Sequence, residues 1–166
     1  MHSPTQKQPQ HKLLIIDDES DNLDLLQRIF RRHYQVLRAQ DGFEALAILE
    51  IEPDIAVIIS DQRMSMMTGT EFFTQVAEIR PDTLRIILTA YTDISDLVEA
   101  INKSQVFKYI TKPYKAENLL AIVRQAVKIH EILKSRTSKL LNDLEQAEAK
   151  YKSIFDNAIE GIFKLH

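Results

Sequence analysis

Five short apolar runs, each closed by polar residues and parted from the next by a helix-length segment, set the strongest limit on how this chain can fold. The middle run, Ile55-Ala56-Val57-Ile58-Ile59, shows no alternation, as expected of a strand buried on both faces. Ser60 and Asp61 end it abruptly. Before it, Lys12 to Ile16 stops at Asp17-Asp18-Glu19, and Tyr34 to Ala39 reads as a second strand. After it come Leu84 to Thr89 and Val106 to Ile110, the latter followed by Thr111-Lys112-Pro113.

The intervening segments have helical spacing. Ser20 or Asp21 is expected to cap a helix carrying Leu23, Leu26, Ile29 and Phe30. Asp41-Gly42 turns into a helix with Phe43, Leu46, Ala47 and Leu49, which Pro53-Asp54 ends. Further helices are expected from about Thr70 to Ile79 and from Ile94 to Ile101. Strand and helix in strict alternation give a parallel sheet covered on both faces, since right-handed crossovers place helices on either side. Five such units predict a flavodoxin-like, doubly wound α/β sheet of order 2-1-3-4-5. That order sets the first strand beside the third, so Asp17, Asp18 and Asp61 should meet at one sheet end.

Composition narrows the function. The 166 residues are 45% hydrophobic and 27% charged, which is the balance of a globular domain with an extension. A net charge of −3 gives no general attraction to nucleic acid or anionic membrane. There is no cysteine, so disulfides and thiolate metal sites are excluded, and a reducing cytoplasm fits. No apolar stretch approaches the roughly 18–20 residues that span a bilayer. Residues 1–11 are read as a disordered tail, polar and with two prolines in the first ten.

From Glu117 to beyond Lys150 there is neither glycine nor proline, which predicts a long C-terminal helix. Leu119, Ile122, Ala126, Ile129 and Leu133 follow coiled-coil steps, as do Leu140, Leu144, Ala147, Tyr151 and Ile154. The two sets are out of phase, and a slip at Thr137 would join them. A homodimer through this helix is expected.

Three clustered carboxylates repel one another and become tolerable around a hard divalent cation. Oxygen-only ligands favour Mg²⁺ over Zn²⁺. Asp61 is then placed as a nucleophile toward a phosphoryl group, with Lys112 pairing its charge and the Thr89 hydroxyl donating to another oxygen. Pro113 is expected to fix the turn that aims Lys112, through a cis peptide. Each piece has a plainer reading: Asp17-Asp18 as a helix cap, Lys112-Pro113 as a turn, Thr89 as a strand residue and Tyr109 as packing. Their joint placement at the ends of four strands favours the site.

Leu14-Ile15-Ile16-Asp17-Asp18, Ser60-Asp61 through Gly69, Leu88-Thr89-Ala90 and Tyr109-Ile110-Thr111-Lys112-Pro113 resemble the receiver domain of two-component response regulators. The resemblance covers residues 12–130. It implies phosphotransfer to Asp61 from a histidine kinase or phosphotransfer protein, in a regulatory module and not an enzyme of its own. It also implies Mg²⁺ held by Asp18, Asp61 and the backbone carbonyl of Arg63, with Asp17 acting mainly through water. Thr89 would move toward the phosphate and Tyr109 would turn inward behind it. Ser65 stands where the family usually has proline, which predicts a looser loop from Gln62 to Thr68. Asp61-Gln62-Arg63-Met64 resembles receivers joined to nucleotide-cyclase, cyclic-dinucleotide or kinase outputs.

Residues 131–150 are read as a helical, coiled-coil linker, and 151–166 as the start of a PAS domain from a longer protein. The second reading rests on Tyr151 to Phe163, whose plainer alternative is a linker helix ended by Gly161. Two rival functions are a receiver-like dimerisation scaffold without phosphotransfer and part of a hybrid histidine kinase. For the latter, His130-Glu131 would be a phosphoacceptor box, but a helical His beside Glu reads as a solvated surface pair. No helix-turn-helix or basic patch supports direct nucleic-acid binding.

Overall fold

A computed structural model describes residues 10–90, 92 and 94–164. Of the expected tail, only Gln10 and His11 fall within them. The elements are β1 (Lys12–Ile16), α1 (Ser20–Phe30), β2 (Gln35–Ala39), α2 (Gly42–Ile51), β3 (Ile55–Asp61), α3 (Gly69–Ile79), β4 (Leu84–Ala90), α4 (Ile94–Ser104), β5 (Lys108–Lys112) and α5 (Ala116–Lys164). All five strands run parallel in the order β2-β1-β3-β4-β5. This is the doubly wound, flavodoxin-like architecture expected, with its long C-terminal helix.

The unalternating runs occupy the centre of the sheet. Ile55 to Ser60 of β3 are all buried, as are Leu84 to Thr89 of β4. On one face Leu14, Ile16 and Ile58 pack with Leu49 of α2 and Phe72, Phe73 and Val76 of α3. Burying side chains of this size contributes about 1.5–3 kcal/mol each, so this core is what holds the strand ends in register. That register pairs Ile16 with Ser60, Asp61 with Leu88 and Ala90 with Lys112, so the polar residues leave one edge together.

Several boundaries differ from expectation. Helix α1 is capped by Glu19 rather than Ser20 or Asp21, and no side-chain bond closes the cap. The reason is upstream: Asp17 Oδ1 accepts from the Glu19 N–H at 2.9 Å and turns the chain into the helix. Strand β5 begins at Lys108, two residues later than Val106. Val106 N–H donates to the Ile101 carbonyl of α4, and Phe107 N–H makes the first bond to β4, at the Arg85 carbonyl. Consequently Thr111 and Lys112 lie inside the strand. Arg85, buried in β4, closes the opposite sheet end by donating to the carbonyls of Gln105, Thr83 and Arg80. Burial lowers its pKa.

The chain divides into two compact units, one ending at His130 and one beginning at Glu131. Within the first, α5 buries Leu119, Val123, Ala126, Val127 and His130. His130 is therefore no surface residue: its Nδ1 lies 2.6 Å from the Asp82 carbonyl. Val123 and His130, in place of Ile122 and Ile129, reset the heptad phase. Leu119, Val123, Ala126, His130, Leu133, Thr137, Leu140, Leu144, Ala147, Tyr151 and Ile154 then follow alternating steps of four and three without a slip. In the second unit the helix continues through Gly161 to Lys164, so that glycine does not end it. Among the described residues no helix is long and apolar enough to cross a membrane.

Gly69 starts α3 directly behind the strand that carries Asp61. A Cβ there would lie 2.5 Å from the Asp61 carbonyl oxygen and 2.8 Å from Ile87 Cδ1. Neither backbone nor core side chain can yield cheaply. Gly69→Ala is expected to lower stability by about 1–3 kcal/mol, measured as a shift in the urea midpoint at unchanged slope.

Candidate functional site

Four strand ends build the site. Asp17 follows β1 and is buried, with Asp18 exposed beside it; Asp61 ends β3, Thr89 lies near the end of β4, and Lys112 ends β5. Carboxylate oxygens of Asp17, Asp18 and Asp61 lie within 4.8 Å of one another. Lys112 Nζ donates to Asp61 Oδ1 at 2.8 Å. The Lys112–Pro113 peptide bond is cis. Asp61, Arg63, Thr89, Ala90 and Lys112 share a cavity of about 100 Å³ with Gln62. The Thr89 hydroxyl meanwhile donates to the Ala90 carbonyl at 3.4 Å. Tyr109 stands apart, 46% exposed on β5, and lines a separate surface cavity with residues of α4 and α5.

Crowding shows in the electrostatics. Burial pushes the Asp17 carboxyl above its ordinary 3.8, and the Asp61 charge pushes the same way. The Glu19 N–H, the Lys112 ammonium and Asn22 oppose this without cancelling it. Burial alone would lower Lys112, but its hydrogen bond to Asp61 and the charges of Asp61 and Asp17 outweigh that, and its pKa is raised. Burial likewise raises the Tyr114 phenol, with Lys112 opposing and the two aspartates adding. The three carboxylates thus meet beside the Lys112 ammonium and offer oxygen donors. That donor set fits a hard divalent cation.

The loop after Asp61 is more tightly tied than a chain lacking proline suggested. Ser65 N–H donates to Asp18 Oδ2 at 3.3 Å, a bond proline could not make. Met67 N–H donates to the Ser65 carbonyl across Met66, whose φ is +75°. The side chain of Gln62 holds Thr70 by two bonds. The sequence singled out Gln62 only as part of the loop and of the Asp61 to Met64 resemblance, with no role for its side chain, and it pointed to neither Asn22 nor Tyr114. The available signal for Gln62 was a large polar residue directly after the acidic strand end, where it must be either solvated or paired.

A family model described as the response regulator receiver domain matches residues 13–124. The chain belongs to this family. It is a two-component response regulator receiver, and receivers are regulatory domains that histidine kinases phosphorylate. The hydrogenase transcriptional regulatory protein HoxA of Cupriavidus necator is 38% identical over 118 residues, covering 71% of this chain and 24% of its own length. The transcriptional regulatory protein GlrR of Escherichia coli is 32% identical over 163 residues, covering 92% of this chain and 36% of its own. The receiver chain therefore spans about a quarter to a third of these relatives. Among solved structures, a receiver domain protein from Clostridium thermocellum superposes with a TM-score of 0.69 at 29% identity, over 74% of this chain and 98% of that one. An adenylate cyclase from Rhodopirellula baltica superposes at 0.74 with 29% identity, over 79% of this chain and 97% of that one.

The raised pKa of Asp17 has a definite sign. Its proton-linked stability is fully present below the ordinary 3.8 and is lost as pH rises through the higher folded value. At neutral pH the buried charge is therefore a burden on the cation-free protein. Asp17→Asn keeps an acceptor for the Glu19 N–H and removes that charge. It is expected to melt higher than wild type at pH 7 without divalent cations, the difference shrinking as pH falls toward 3.8. Calorimetry across that range checks this.

Proposed function

We propose that this chain accepts a phosphoryl group on Asp61 from a histidine kinase or phosphotransfer protein, with Mg²⁺, and relays the change through a paired C-terminal helix. The observation that carries the reading is the Lys112–Asp61 contact of 2.8 Å beside Asp17 and Asp18, within one cavity that also holds Thr89. Asp18, Asp61 and the Arg63 carbonyl would hold the metal, with Asp17 beside them. Bound there, Mg²⁺ would neutralise the crowded carboxylates and the charge of the incoming phosphoryl oxygens.

An Asp61 oxygen forms the new P–O bond as the donor's P–N bond breaks, and the leaving imidazole keeps the electron pair and takes up a proton. Lys112, already paired with Asp61, transfers its interaction to a phosphoryl oxygen. Thr89 exchanges its long bond to Ala90 for a second phosphoryl oxygen, which vacates space that Tyr109 fills from the β5 edge. Such a local change biases a two-state surface formed by α4, β5 and α5.

The relay is proposed to run through a homodimer. Leu140, Leu144, Tyr151 and Ile154 are exposed along one heptad stripe, and a second copy of the same stripe covers them. Exposed Phe155, Ile162 and Phe163 are read as belonging to the opening of a PAS domain that would bury them. The output downstream is proposed to be a nucleotide cyclase, cyclic-dinucleotide or kinase module, on the resemblance at Asp61 to Met64 and the adenylate cyclase neighbour. HoxA and GlrR, both transcriptional regulatory proteins by name, set the competing class.

Acetyl phosphate with Mg²⁺ is expected to add one phosphoryl mass to the wild type and none to Asp61→Asn, read by intact-mass spectrometry. Wild type left unmodified by both acetyl phosphate and a cognate kinase would sink the reading. In parallel, Leu140→Glu with Leu144→Glu should convert a dimer into a monomer by light scattering while the receiver's melting temperature stays put.

A further inference from the structure

The residue after Asp61 carries a side chain that phosphotransfer does not use. Gln62 is 8% exposed, and a buried amide without partners would be costly. Both of its partners are on Thr70: Nε2 donates to Thr70 Oγ1, and Oε1 accepts from the Thr70 N–H, each at 3.0 Å. The Gln62 carbonyl also accepts from the Gly69 N–H at 3.0 Å. The first turn of any helix has N–H groups with no partner inside the helix. In α3, those of Gly69 and Thr70 end on Gln62, and that of Glu71 ends on the Thr68 hydroxyl. Gln62 thus caps α3 from outside, through side chain and main chain together.

Its location gives the cap a second consequence. On one side Gln62 lines the cavity of Asp61, Thr89 and Lys112. On the other it lines a groove of about 500 Å³ between α3 and α4, with Thr70, Thr74, Leu97 and Lys103. The Thr74 hydroxyl donates to the Thr70 carbonyl at 2.9 Å, extending the chain of bonds along the groove wall. The Gln62 N–H donates to the Leu88 carbonyl, next to Thr89. A shift of the Asp61 backbone therefore moves three Gln62 bonds at once. The first turn of α3 must follow, or lose them.

We infer that Gln62 is a positioning residue that ties Asp61 to α3, so that a phosphoryl group on Asp61 is felt at the α3–α4 groove as well as at β5. The inference rests on Asp61 being the phosphoacceptor. Hydrogen exchange on the full chain with Mg²⁺, with and without saturating beryllofluoride as the phosphoryl mimic, tests it, and Mg²⁺-dependent ¹⁹F signals report the adduct. In wild type the amides of Gly69 to Glu71 are expected to change exchange rate about fivefold or more, the size one ordinary hydrogen bond sets. Gln62→Met, which keeps the main-chain bond to the Gly69 N–H but loses both side-chain bonds, should abolish the response at Thr70, and Gln62→Glu, which keeps an acceptor for the Thr70 N–H, should retain it. Thr70→Val keeps the N–H, loses the hydroxyl and should weaken the response, serving where Gln62→Met does not fold. An adduct with no change at Gly69 to Glu71, or full responses in Gln62→Met and Thr70→Val, overturns the inference alone. Absence of any wild-type adduct overturns the phosphoacceptor reading, and this inference with it.

Discussion

Everything at the carboxyl edge of the sheet follows from an arrangement that is electrostatically unfavourable by itself. Asp17, Asp18 and Asp61 bring their oxygens within 4.8 Å of one another, with the Lys112 ammonium paired to Asp61. Like charges at that range separate unless something prevents it. What prevents it is the apolar core below: β1 and β3 are fixed side by side by Leu14, Ile16, Ile58 and the phenylalanines of α3. The stabilising part of the molecule and its reactive part are thus different layers, and the first holds the second in a state it would otherwise leave. A site held that way responds strongly to any charge that enters it, because the surrounding groups are already in place and need no reorganisation.

How much of this was legible in the chain depended on whether the cause was local. Unbroken apolar runs mark β1, β3 and β4 because burial on both faces leaves no room for alternation, and the polar residues that close them, Asp17, Asp61 and Thr89, could be placed at one sheet edge. At β5 the signal failed. Val106 looks more strand-like than Thr111 or Lys112, yet its N–H goes to Ile101 of α4; Phe107 N–H makes the first bond to β4, and the paired register runs from Lys108 to Lys112. His130 misled for the same reason. Next to Glu131 it reads as a surface pair, and nothing nearby announces the Asp82 carbonyl 48 positions away that buries it. Gln62 is the same case at the site itself: its role is set by Thr70, and only the folded loop brings the two together.

Ser65 shows the opposite relation, where a departure from family habit has a compensating bond. Without proline the loop has one more backbone donor, and that donor goes to Asp18. The loop is held to the acidic cluster by hydrogen bonding in place of ring rigidity. Such a restraint is weaker and more easily exchanged than a fixed φ, so the loop and Asp18 are coupled in a way that a proline-bearing loop would not allow.

The long helix extends the same reasoning beyond the sheet. Its buried residues in the first unit, Leu119, Val123, Ala126 and His130, stand in one heptad frame with Leu133, Leu140, Leu144 and Ile154 in the second. Had the two sets been out of phase, the helix would need a local change of winding between them. None is required, since replacing Ile122 and Ile129 by their neighbours removes the slip at Thr137. These positions thus keep one heptad spacing along the sequence from Leu119 to Ile154. Long isolated helices gain most of their stability from burying such a stripe, not from propensity. The buried residues of the 49-residue α5 end at His130, the histidine bonded to the Asp82 carbonyl of the α3–β4 turn.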